Sequence, residues 1–94
     1  MVLVFIRHRV TDYKVWKQAF DAFAPTRKSN GELSYRIGTP PGEPNNLSLF
    51  FEWESVAAAN RFLASPDLAG TMQKAGVCEA PEIRVTEEIA SGKP

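Results

Sequence analysis

The spacing of apolar and polar positions changes period several times along this chain, and the changes divide it into elements. Residues Val2 to His8 form a short, strongly apolar run rich in β-branched and aromatic side chains, which predicts a strand. Its alternating sets are Val2, Val4, Ile6 and His8 on one side and Leu3, Phe5, Arg7 and Arg9 on the other. Both carry apolar groups, so both faces are expected to be covered. Asp12 then suits an N-cap, and Tyr13, Trp16, Phe20 and Phe23 recur at helical spacing, with Lys14, Lys17, Gln18 and Asp21 on the wet side. Pro25 lacks an amide hydrogen and predicts a kink, while Arg27 and Lys28 suit a helix C-terminus ahead of Gly31. A kinked helix reaching Asn30 is expected.

Beyond Gly31 the period falls to two. Leu33, Tyr35 and Ile37 alternate with Ser34 and Arg36; Leu47, Leu49, Phe51 and Trp53 alternate with Ser48, Phe50 and Glu52. These predict two antiparallel strands joined by the proline-rich loop Thr39 to Asn46. Ser55 caps a helix carrying Val56, Ala59, Phe62 and Leu63. Ser65-Pro66-Asp67 starts a second, with Leu68, Met72 and Ala75 at helical spacing and Gly76 as its stop. Ile83 and Val85 mark a last strand, and residues 90–94 are expected to fray. The order β-α-β-β-α-β, with its second helical segment broken in two, predicts an α+β, ferredoxin-like fold. In it a four-stranded antiparallel sheet carries helices on one face, and the first strand lies between the third and fourth.

Side-chain parity then sorts the residues. The Leu33, Leu47 and Ile83 sets are the apolar ones and should face the helices. If Arg7 and Arg9 point the other way, the open face gathers Leu3, Phe5 and Phe50 at its centre, with Arg36, Glu52 and Arg84 around them. An apolar centre with a charged rim is the anatomy of an interface, and a homodimer through this face is expected. Single domains also tolerate a few exposed aromatics. Arg36 and Glu52 are candidates to pair across strands there. This parity sends His8 to the helix side; the opposite parity of the first strand would send it to the open face.

Composition narrows the function. Residues 1–94 make one domain. Eleven basic and eleven acidic side chains cancel, so the basic excess of a nucleic-acid binder is absent and charge does not oppose self-association. The apolar run before Arg7 is too short for a signal peptide or a membrane span, and the lone cysteine, Cys78, cannot form an internal disulfide. A cytoplasmic location, without membrane partners, is the expectation.

Three stretches carry a family resemblance: V-x-D-Y-x-x-W over Val10 to Trp16, LFFEWES over Leu49 to Ser55, and SPDLAGTMQKAGV over Ser65 to Val77. Together they resemble the dimeric α+β barrel superfamily, particularly its antibiotic biosynthesis monooxygenase-like members. The resemblance implies two sheets paired into a barrel and a ligand pocket between sheet and helices in each subunit. The activities it implies are diverse: cofactor-independent oxygenation of aromatic polyketides, haem degradation, lactone isomerisation, polyketide cyclisation, or none. The haem-degrading branch uses a histidine on its second helix, and Val56 to Ala75 contains none.

His8, the only histidine, is the candidate catalytic acid or base, because an imidazole titrates near neutrality; the plain alternative is a packed strand-end histidine. Trp16, Phe20, Tyr35, Phe51 and Trp53 are the candidate lining of an aromatic ligand pocket, or simply core. One histidine and one cysteine seventy positions apart make no metal set, and phosphate loops and nucleophile elbows are missing. The expected function is thus a small homodimer resembling cofactor-independent monooxygenases, with a small hydrophobic ligand and no cofactor. A cyclase or isomerase in the same pocket, or a catalytically silent dimeric module, fits the same residues.

Overall fold

The run Val2–Arg9 forms strand β1, and β1 takes antiparallel partners on both sides. A computed structural model describes all 94 residues and shows why that strand is central. It is followed by α1 (Tyr13–Ala22), α2 (Ala24–Asn30), β2 (Glu32–Gly38), β3 (Asn46–Trp53), α3 (Val56–Leu63), α4 (Pro66–Lys74) and β4 (Glu82–Glu87). The sheet order is β2-β3-β1-β4, antiparallel throughout. This is the α+β, ferredoxin-like arrangement, with each helical connection split in two. Residues 88–94 are exposed and belong to no helix or strand. No helix is long and apolar enough to cross a membrane.

The splits have local causes. Asp12 caps α1 by accepting a hydrogen bond from the Lys14 amide. Phe23 closes α1 and opens α2, and Pro25 falls in the first turn of α2, where its missing N–H leaves no bond unmade. Ser55 and Ser65 cap α3 and α4 by accepting from the amides of Ala58 and Leu68.

Parity follows the expectation in β1 and β3. Val2, Val4, Ile6 and His8 are buried on the helix side with Leu47, Leu49, Phe51 and Trp53, and Trp16, Phe20 and Phe62 close over them. Ile83 and Val85 of β4 lie opposite Ile6 and Val4 and are half-buried. In β2 the expectation fails at its first apolar residue. The pairing with β3 shifts between Glu32 and Ser34, so Leu33 bulges out and is 63% exposed. Glu32, opposite Trp53, takes the inward place instead.

After β1 the chain is tied to the end of α4. Val10 bridges Val77, the Thr11 amide donates to the Gly76 carbonyl at 3.0 Å, and the Cys78 amide donates to the Arg9 carbonyl at 3.0 Å. Gly76 makes the turn with φ of 88°, and a Cβ there would stand 2.6 Å from the Thr11 hydroxyl. Gly76→Ala is therefore expected to destabilise the protein by about 1–2 kcal/mol, the cost of forcing an L side chain into the left-handed region. Urea denaturation with an unchanged slope and a lowered midpoint is the readout.

Candidate functional site

Between the helix side of the sheet and the four helices lies a cavity of about 60 Å³. That is several times the roughly 10–15 Å³ that one water molecule requires. Thirteen of its seventeen lining residues are hydrophobic; the four polar ones are His8, Arg27, Glu32 and Thr71. Leu68, Thr71 and Met72 bring α4 into the wall. No residue of α4 is buried, which makes it the wall best able to shift for a larger occupant.

His8 sits at the last inward position of β1, opposite Leu47 and 2% exposed. Its ring meets Trp16 edge-on at 5.9 Å between centroids, and its buried Nδ1 has no hydrogen-bond partner. Burial holds the imidazole pKa below its ordinary value, because removing the charged form from water is costly. The residue's own backbone and the carboxylate of Glu79 pull the other way, and Arg7 adds to the lowering. At neutral pH His8 is thus an uncharged base beside an apolar space.

Trp16 and Phe20, one turn apart on α1, stack at 4.8 Å, and Arg27 of α2 lies over the Phe20 ring at 3.6 Å. Arg27 is buried and pairs with the Glu32 carboxylate, Nε to the two oxygens at 2.9 and 3.1 Å, while its Nη1 donates to the Phe20 carbonyl. Burial raises the Glu32 pKa and the Arg27 guanidinium opposes the rise. The sequence pattern marks Arg27 only as a charge at a helix end and does not single out Glu32. The available signal was a pair of opposite charges five residues apart across the Gly31 turn, with an aromatic helix face just before them.

Of the expected pocket residues, Trp16, Phe20, Phe51 and Trp53 line the cavity. Tyr35 does not. It lies on the edge strand β2, 42% exposed, in an outer groove that it shares with Arg27 and Glu32. Its ring meets Phe20 edge-on at 4.9 Å and lies 5.6 Å from the Arg27 guanidinium, so it covers the ion pair from outside.

On the open face the register aligns Phe5 with Phe50 and Arg84, Leu3 with Glu52, and Arg36 with Phe50. The Phe5 and Phe50 rings are 5.3 Å apart, and Phe50 is 49% exposed. Within the chain Arg36 and Glu52 form no ion pair; Glu52 lies opposite Leu3 and Ser34 while Arg36 lies opposite Phe50. No histidine, cysteine, aspartate and glutamate cluster suits a metal ion.

No family model matches the chain, and no curated protein matches its sequence. Solved structures match its fold. SnoaB, a cofactor-independent oxygenase from Streptomyces nogalater, superposes with a TM-score of 0.77 at 16% identity, over 96% of this chain and 94% of that one. Rv0793 from Mycobacterium tuberculosis does so with 0.70 at 21% identity, over 98% of each chain. A protein of unknown function from Nitrosomonas europaea gives 0.72 at 16%, over 99% of this chain and 93% of that one. The chain has the fold of the antibiotic biosynthesis monooxygenase structures.

The lowered pKa of His8 has a consequence for stability. Its neutral form is favoured in the fold, so His8 contributes stability that is present above the ordinary value of 6.5 and is lost as pH falls through the folded value. Glu32, raised, acts with the opposite sign, adding stability as pH falls. Between pH 7.5 and 5 the Tm of the wild type is expected to drop further than that of His8→Phe. Parallel curves would mean that His8 titrates as a solvated histidine does.

Proposed function

We propose that this chain, on the fold of the antibiotic biosynthesis monooxygenase structures, is a homodimeric, cofactor-independent oxygenase. Its substrate class is a flat hydroxyaromatic or polyketide-like molecule held between sheet and helices. The observation that carries this reading is His8: a buried, uncharged imidazole with an unpartnered Nδ1, on the wall of an aromatic cavity.

Such a group accepts a proton well only when the negative charge it creates stays beside it. An isolated imidazolium is disfavoured by the same burial that lowers the pKa, whereas an imidazolium in contact with a phenolate or enolate is neutralised as it forms. His8 would take the acidic proton of the substrate, and the apolar walls would keep water from competing. For an activated ring methylene, the overall change converts the methylene and one dioxygen into a ring carbonyl and one water. The carbanion's electrons reduce dioxygen as a C–O bond forms. The O–O bond then breaks with loss of the second C–H proton, and water leaves with the proton that His8 held. The substrate supplies all four electrons, so no external reductant enters the balance.

The dimer rests on the open sheet face. Phe5, Phe50 and Leu3 form an apolar centre, and the rim carries both signs, Arg36 and Arg84 against Glu52. A two-fold axis through such a patch can set arginines of one copy against the glutamate of the other, and a net charge of zero adds no repulsion. Covering this face also explains why both sets of β1 are apolar.

Two measurements test the reading. With a hydroxyanthrone as substrate, oxygen uptake should match carbonyl formation one to one, and His8→Ala should lower kcat by about 10²–10⁴-fold. Deuterium exchange at the methylene without oxygen uptake would instead indicate an isomerase or cyclase, and no binding at all a silent module. In sedimentation velocity the wild type should run as a dimer and Phe50→Glu as a folded monomer; a monomeric wild type removes the assembly from the proposal.

A further inference from the structure

The cavity holds one feature that proton transfer at His8 does not use, the buried pair of Arg27 and Glu32. Stability is a weak explanation for it. Desolvating two charges offsets most of their attraction, and apolar residues of the same volume often serve as well. Both residues also line the cavity.

The guanidinium is held in one orientation. It lies on the Phe20 ring at 3.6 Å with the Tyr35 ring at 5.6 Å, its Nε is fixed by Glu32, and its Nη1 by the Phe20 carbonyl. Nη2 makes no hydrogen bond within the chain. An arginine held over a ring and fixed at Nε and Nη1 is a preorganised donor, since little freedom remains to be lost when it binds. It stands across the aromatic wall from the base: His8 lies 5.9 Å from Trp16, Trp16 4.8 Å from Phe20, and Phe20 3.6 Å from Arg27.

We propose that Arg27 is the carbonyl-binding group of this cavity. It receives the ketone or quinone oxygen of a flat ligand whose ring lies along Trp16 and Phe20 and whose acidic hydroxyl meets His8. The ligand class is then hydroxyaryl ketones and quinones, rather than aromatic hydrocarbons or simple phenols. Glu32 holds the guanidinium and cancels its charge, so a neutral carbonyl suits the site and a carboxylate does not. This assignment rests on the reading of the cavity as a ligand site given above.

Calorimetric titration with two probes of nearly equal shape, 6-acetyl-2-naphthol and 6-ethyl-2-naphthol, separates the two ideas. The wild type should bind the ketone about tenfold more tightly or better, the range of one hydrogen bond from a charged donor. The double variant Arg27→Met/Glu32→Leu replaces the pair with apolar side chains. It should bind the ethyl compound as the wild type does and lose the preference. Equal affinities in the wild type, or a preference that survives in the double variant, overturns the role of Arg27 alone. If the wild type binds neither naphthol, the cavity reading falls, and this assignment with it.

Discussion

Successive side chains of a strand leave opposite faces of its sheet, so the central strand Val2–Arg9 decides where most groups of interest lie. Hydrogen-bonded on both edges, it cannot slip in register without breaking two ladders at once. Its even-numbered residues are therefore fixed toward the helices and its odd-numbered ones toward the open face. The inward set ends on His8, which is why an ionisable ring is buried beside Trp16 instead of standing in water. The outward set puts Phe5 next to Phe50. One alternation thus supplies both a candidate base and a candidate contact surface, on opposite faces of the same sheet.

The helices complete the interior without filling it. Large rings occupy α1 and the sheet, while α4, nine residues long and held by its serine cap and the Gly76 turn, covers what remains with Leu68 and Met72. A short helix with no buried side chain packs more loosely than a core helix does, and the space left between aromatic walls is the result.

Much of this was legible in the sequence. Period-two runs located three strands closely and the fourth by its two apolar residues, and the caps Asp12, Ser55 and Ser65 placed three helix starts. Counting alternation from Arg7 and Arg9 put His8 on the correct side. Alternation with its neighbours assigns Leu33 inward, but a bulge adds one residue without leaving a mark in the hydrophobic pattern. The same bulge turned Glu32 inward to meet Arg27, a contact that local charge rules assign to a solvated helix end. Tyr35 lay outside the cavity because its strand is the sheet edge, where only part of a ring is covered. Pattern reading sees which residues prefer burial; it does not see where a ladder skips.

The two indole rings of the chain, Trp16 on the helical wall and Trp53 on the sheet, face the same enclosed space. The protein's intrinsic ultraviolet emission therefore originates almost wholly from the cavity lining, with no indole elsewhere to dilute it. A conjugated molecule taken up there would lie within energy-transfer range of both emitters. Occupancy of the cavity, and protonation of the imidazole beside Trp16, would thus be read in the optical spectrum of the unlabelled chain.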